Sequence, residues 1–174
     1  IVRDINQVES VVSDLMELAR PGDLRREPVP LNDVGREALQ QVAAQFAYRK
    51  IEVEVRLEDG LPLVALDRGR FKQALLNVLV NGAEALHTGG RMSVATARAE
   101  SSVSVEICDD GVGIPNDIRE RVFEPFVSSK PDGVGLGLVN VRSVVEGHGG
   151  RITLEARHPG GTCARIRIPE TMHG

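Results

Sequence analysis

Residues 75–86 read LLNVLVNGAEAL, and no other stretch restricts the fold as much. Its leucines, valines and alanines suit a buried helix, yet Asn77 and Asn81 stand four residues apart and so share one helical face. A carboxamide taken out of water without partners costs about 1–3 kcal/mol. Two of them are a poor way to fill a core. The pair needs an internal polar network, a helix cap, or something held against that face.

Composition limits what that something is. The chain has 174 residues, 41% hydrophobic and 26% charged, which suits one globular domain with an appendage. No run approaches the ~18 uncharged apolar residues of a membrane span, and no charged-then-apolar leader opens the chain. It reads as a cytoplasmic fragment opening at Ile1, with any membrane anchor lying elsewhere in a parent protein. Lys and Arg number 21 against 25 Asp and Glu, and aromatics are 3%, so there is neither a basic stripe nor a stacking platform for nucleic acid. Cys108 and Cys163 sit in strand-like runs without C-x-x-C spacing and are expected to be reduced core thiols.

Along the first segment Ile1, Ile5, Val8, Val12, Leu15 and Ala19 form an a/d seam, a helix that seeks a partner. Pro21 and Gly22 end it. We therefore expect a dimerisation helix over 1–20, a linker over 21–30, a main domain over 31–170 and a tail over 171–174. Within the domain, Asn32 is expected to cap a helix carrying Val34, Leu39, Val42 and Phe46, and IEVEVRL alternates as a half-exposed strand. Asp67 caps the asparagine helix, which runs to HTGG at 87–90. Strands follow at RMSVATAR and SVSVEICD, a short helix near NDIRERVF, a longer one along GLVNVRSVVEGH, and a closing hairpin, RITLEAR and TCARIRIP around HPGG. Helices interleaved with mostly hairpin-linked strands imply a two-layer α/β (α+β) sandwich, its mixed sheet covered on one face.

Two glycine loops punctuate this pattern. SVSVEICD runs into DDGVGIP, where Gly111 and Gly113 permit close backbone approach and Asp109 stands at the strand end. An ionised carboxylate only accepts hydrogen bonds, so it suits an exocyclic amine such as adenine N6; alone, the motif is as readily a calcium-like or simple turn. The second loop, KPDGVGLGL, sets Gly133, Gly135 and Gly137 before a helix, an arrangement of N–H groups that binds anions, with Lys130 adding a point charge. A dinucleotide fingerprint would follow a strand directly, and FEPFVSSKPD is not one. Taken together, Asp109 would read adenine, the second loop would wrap phosphates, and Asn77 with Asn81 would offer hard oxygens to Mg²⁺.

In this order, LLNVLVNGAEAL, DDGVGIP, FEPF and GVGLGL resemble the N-box, first glycine box, F-box and second glycine box of sensor histidine kinases of two-component systems. The resemblance spans about residues 28–169. It implies the Bergerat ATP-binding fold shared with DNA gyrase, mismatch-repair and heat-shock chaperone ATPases. By it, ATP with Mg²⁺ is the ligand and Asn77, Asn81, Glu84, Asp109, Gly111, Gly113, Ile114, Phe126, Lys130, Gly133, Val134, Gly135, Leu136, Gly137, Leu138 and Thr162 bind the nucleotide. Asn81 and Asn77 then hold the metal, and Asn77 and Lys130 act catalytically. The short stretch between Phe126 and Gly133 resembles the compact lid of nitrogen-regulation kinases, with Ser128 and Ser129 in place of threonines, and is expected to be mobile from Val127 to Gly133.

Gyrase-like and chaperone-like members of this superfamily carry a water-activating glutamate where this chain has Asn77, a poor general base. That substitution favours transfer to an outside acceptor. In the family the acceptor is a histidine on a dimerisation hairpin, whose second helix residues 1–20 resemble, and the phosphoryl group passes on to a response regulator receiver domain from a homodimer. His87, His148, His158 and His173 do not fit the acceptor role; His148, in EGHGG, reads as a helix C-cap, cationic or hydrogen-bonded. The other possibilities are a nucleotide-gated module that binds ATP without transferring phosphate, as in a pseudokinase, and another Bergerat-fold ATPase.

Overall fold

The computed structural model describes residues 24–130 and 133–171. The expected dimerisation helix, the first part of the expected linker, part of the expected lid and most of the tail lie outside the described residues. In chain order the elements are β1 (Glu27–Val29), α1 (Leu31–Tyr48), β2 (Glu52–Leu57), β3 (Val64–Leu66), α2 (Arg68–Ala85), β4 (Arg91–Ala99), β5 (Ser102–Asp109), α3 (Gly137–Gly147), β6 (Arg151–Ala156) and β7 (Thr162–Pro169).

Period-two patterning puts Val94, Val105, Ile107, Ala164 and Ile166 on one face of a five-stranded sheet ordered β2-β4-β5-β7-β6. Among the described strands of this sheet only the β2–β4 pair is parallel. Helical spacing supplies the covering layer: Leu31, Val34, Ala38, Val42 and Phe46 of α1 and Phe71, Ala74, Leu75, Val78 and Leu79 of α2 are all buried in the same cluster as those strand residues. Each such large side chain stabilises by roughly 1.5–3 kcal/mol. The result is the expected mixed two-layer sandwich. No helix among the described residues is long and apolar enough to cross a membrane.

Several local expectations give way to tertiary structure. Residues 27–29, inside the stretch expected to be linker, form β1 and pair antiparallel with β3, burying Val29. Asn32 does not cap α1, which starts behind Pro30 without a side-chain cap. Its amide instead donates to Glu58 O at 2.8 Å and accepts from Thr96 Oγ1 at 2.8 Å, tying α1 to the sheet. NDIRERVF yields only a 3-10 turn at Arg119–Arg121, because Ile118 and Val122 supply a single apolar turn and Pro125 keeps the residue before it out of helical torsions. Cys108 and Cys163 are bonded to each other rather than reduced; sheet register sets them opposite across β5 and β7, which a sequence separation of 55 residues does not reveal.

Asp67 caps α2 as expected, its Oδ1 accepting from Arg70 N at 3.1 Å. His148 is the C-cap of α3, in the neutral, hydrogen-bonded form. Its Nε2 accepts from Asp67 N at 2.8 Å, so Nδ1 carries the proton and donates to Val144 O at 2.7 Å. The ring, 3% exposed, meets Phe71 edge-on with centroids 5.7 Å apart. Burial lowers its pKa, the Val144 carbonyl and Asp67 raising it and Arg26 and Arg70 lowering it further. Because the folded value lies below the unfolded one of about 6.5, unfolding takes up a proton. The stability from neutral His148 is complete above about pH 6.5 and drains away as pH falls below it. Urea unfolding between pH 7.5 and 5 should show that loss, and His148→Gln should flatten it; equal acid slopes in both proteins would contradict the assignment.

Candidate functional site

A cavity of about 930 Å³ opens between α2, the start of α3 and the end of β5. The face of α2 turned to it carries Asn77, Asn81 and Glu84, spaced as one helical row. Val78 and Leu79, between them in sequence, point into the core. This separation resolves the conflict in LLNVLVNGAEAL: the asparagines are half-buried in the cavity wall while the leucines pack. Gln73 Nε2 reaches Asn77 Oδ1 at 3.4 Å. Lys130 Nζ donates to Asn81 Oδ1 at 3.0 Å and is paired with the Glu84 carboxylate. Asn81 thus already engages a cation, and three oxygen-bearing side chains stand in one row, a donor set that suits a hard divalent ion such as Mg²⁺.

At the cavity floor Asp109 is 5% exposed. Its Oδ1 accepts from Gly111 N at 2.9 Å and Thr162 N at 3.3 Å, and its Oδ2 lies beside Gly82. Burial pushes the Asp109 carboxyl above its ordinary range, opposed by those two amides and by the Arg157 charge, with Asp110 adding to the rise. A buried acceptor oxygen is thus presented where an N–H donor is needed. Around it, Ile107 and Ala164 furnish an apolar surface that would fit a flat heterocycle. Asp109→Asn should weaken ATP binding roughly 10- to 100-fold without abolishing it, since the amide can rotate to offer its oxygen. Folded Asp109 titrates above its unfolded value, so ionisation at neutral pH subtracts stability; the variant should melt no lower than wild type at pH 7. Calorimetry and thermal unfolding together check both, and equal binding of ATP and GTP by wild type would count against the adenine role.

Gly133, Val134, Gly135, Leu136, Gly137 and Leu138 line the cavity, with α3 starting at Gly137. Gly135 has φ +74°, and a Cβ there would meet Val127 N at 2.6 Å; any other residue would force the loop apart. Gly113, Ile114 and Thr162 also line the cavity. Gly111 does not; it passes under the end of α2, where a Cβ would lie 2.4 Å from Ala85 O. Nor does Phe126, which is 72% exposed and has φ 65°. Residues not anticipated from sequence include Gln73, Ile107 and Ala164. Each was within reach of periodicity, one helical turn before Asn77 or two strand positions from Asp109 and Thr162.

Residues 66–172 match the family described as histidine kinase-, DNA gyrase B-, and HSP90-like ATPase. The sensor histidine kinase ZraS of Escherichia coli (strain K12) is 31% identical over 169 residues, covering 97% of this chain and 36% of ZraS. The chain therefore spans little more than a third of that relative. Among solved structures, the mycobacterial sensor histidine kinase MprB is 35% identical with a TM-score of 0.75, covering 84% of this chain and 99% of that one. The histidine kinase ThkA in complex with response regulator protein TrrA matches with a TM-score of 0.84 at 26% identity, over 98% of this chain and 49% of that one.

Proposed function

This chain belongs to the histidine kinase-, DNA gyrase B-, and HSP90-like ATPase family and is the ATP-binding catalytic domain of a sensor histidine kinase; from that premise we propose that it binds Mg-ATP in the cavity and transfers the γ-phosphoryl group to a histidine of its own dimerisation hairpin. The observation that carries the reading is the convergence of Asn77, Asn81, Asp109, Lys130 and the second glycine loop on one cavity.

The roles follow from chemistry. Asp109 Oδ2 accepts from the adenine N6 amine, with Thr162 beside it, while Ile107 and Ala164 take the ring. Backbone N–H groups from Gly133 to Leu138, at the start of α3, orient the phosphates. Asn81 and Asn77, with Glu84 next in the row, would hold Mg²⁺, which would offset phosphate charge when bound. Lys130 turns from Asn81 and Glu84 toward the γ-phosphate. Asn77 offers no carboxylate to activate water, so the γ-phosphoryl group waits for an imported imidazole. The whole protein acts as a cytoplasmic-side homodimer that passes the phosphoryl group to a response regulator receiver domain; ThkA, captured with its response regulator, supports that step.

The test is incubation with γ-labelled ATP, with and without a separately supplied dimerisation hairpin. The 174-residue chain alone should take no label: His148 is buried with both ring nitrogens engaged, and His87, His158 and His173 lack an acceptor context. The hairpin histidine should become labelled when supplied. Acid-labile label on any of the four histidines, or steady hydrolysis above about 1 per second, would defeat the proposal. Tight binding with no transfer to the hairpin would favour a nucleotide-gated module.

A further inference from the structure

The sheet face that no helix among the described residues covers carries a two-by-two block at the end of the β5–β7 ladder. Glu106 stands opposite Arg165, and Cys108 opposite Cys163. Arg165 reaches Glu106 at 2.5 Å and Glu155 at 3.3 Å, and the cysteines are joined sulfur to sulfur. All four block residues are half-exposed, so solvent-borne reagents reach the sulfurs. The cysteine pair is the last pair of the ladder, and the next residue on each strand belongs to the cavity floor. Asp109 follows Cys108 and Thr162 precedes Cys163, and Thr162 N donates to Asp109 Oδ1 at 3.3 Å. That bond is already at the long end of the N–H···O range, so a small separation of the strand ends breaks it.

We propose that Cys108 and Cys163 are a thiol–disulfide exchange site that tunes nucleotide affinity, clamping the floor when oxidised and loosening it when reduced. Two unbonded thiols need more room than two bonded sulfurs. Reduction therefore pushes the strand ends apart at the register pair beside Asp109, and the amide that orients its carboxylate is lost. The oxidant is a low-molecular-weight disulfide such as oxidised glutathione. One protein thiolate attacks it, forming a mixed disulfide and expelling one small thiolate. The second protein thiolate attacks the protein sulfur of that mixed disulfide and expels the other. The two protons given up by the cysteines end on the two expelled thiols, and the two electrons reside there as well; an excess of reducing dithiol runs the sequence backwards. In a reducing compartment the pair rests as thiols, and oxidation raises affinity. The coupling rests on Asp109 being the adenine acceptor proposed above.

The experiment equilibrates the chain in glutathione buffers of graded ratio, counts free thiols by alkylation and mass spectrometry, and measures ATP affinity by calorimetry in the fully oxidised and dithiothreitol-reduced forms. Alkylation should show both thiols disappearing together, and the reduced form should bind ATP about fivefold more weakly or worse. A Cys108→Ala/Cys163→Ala variant should bind ATP with no response to dithiothreitol. Cys163→Ser serves as the second unbridged variant should the double one unfold. Thiols that never pair at any ratio would overturn the exchange site. Equal affinity in both forms, or an undiminished dithiothreitol effect in the cysteine-free variant, would overturn the coupling. If alkylation shows the transition but neither form binds ATP, the nucleotide assignment itself fails, and the coupling with it.

Discussion

Replacing Asn81 by alanine should weaken Mg-dependent ATP binding by on the order of 100-fold or more, equivalent to about 2.8 kcal/mol, while leaving the melting temperature essentially unchanged. Asn81 contributes nothing to the core. Its side chain faces the cavity, and its Oδ1 is bonded to Lys130 Nζ. Alanine is the better helix former, which offsets the lost polar contact. The missing oxygen removes a proposed metal ligand, and the released Lys130 remains paired with Glu84 instead of meeting phosphate in register. Asn81→Asp should fail by another route, because a second carboxylate beside Glu84 holds Lys130 more firmly and repels the phosphates. Calorimetry with Mg-ATP, and with ATP in excess chelator, separates metal-dependent from metal-independent affinity. Unchanged Mg-ATP affinity in Asn81→Ala would take this residue out of the site.

A comparable loss, this time of stability, is expected for Gly161→Ala. Gly161 is buried with φ +102°, and a Cβ there would lie 2.0 Å from Asp109 O. The neighbour is backbone at the end of β5 and cannot swing away. Positive φ adds strain of about 1–3 kcal/mol to that overlap, so the variant should lose about 3 kcal/mol or more and melt roughly 10 °C lower. Gly160→Ala is the internal comparison. Its Cβ would meet Gly111 O at 3.3 Å, and its φ is ordinary, so its loss should be less than half as large. Similar melting temperatures for the two variants would show that the loop relaxes and that Gly161 is not a fixed support of the floor.

What the sequence disclosed, and what it withheld, divides along a physical line. Where a local pattern is long and strongly periodic, it was legible. The strands β4, β5, β6 and β7 announce themselves by alternation, α2 and α3 by helical spacing, and the cap at Asp67 by position. Most of the cavity lining was legible because it is concentrated in short segments whose order is itself informative. Contacts set by register or by distant partners were not. Nothing adjacent to Asn32 reveals that Thr96 and Glu58 will take its side chain. Pairing of Glu27–Val29 with β3 depends on a segment 35 or more residues away. Opposition of Cys108 and Cys163 requires knowing that β5 pairs with β7 and in which register. Phe126 belongs to a recognisable motif, yet no residue type around it declares its exposure or its positive φ.

The cavity takes Asn81 from α2, Asp109 from β5, Gly137 from the start of α3 and Thr162 from β7, elements that meet only when sheet and helices are assembled together. No single hairpin or helix pair of this chain retains a nucleotide site, so opening that exposes the backbone to a protease also discards the ligand. Free nucleotide at 100 times its dissociation constant therefore adds about 2.7 kcal/mol against that opening, and the cleavable population shrinks about 100-fold. Resistance of this domain to proteolysis should thus rise with nucleotide concentration.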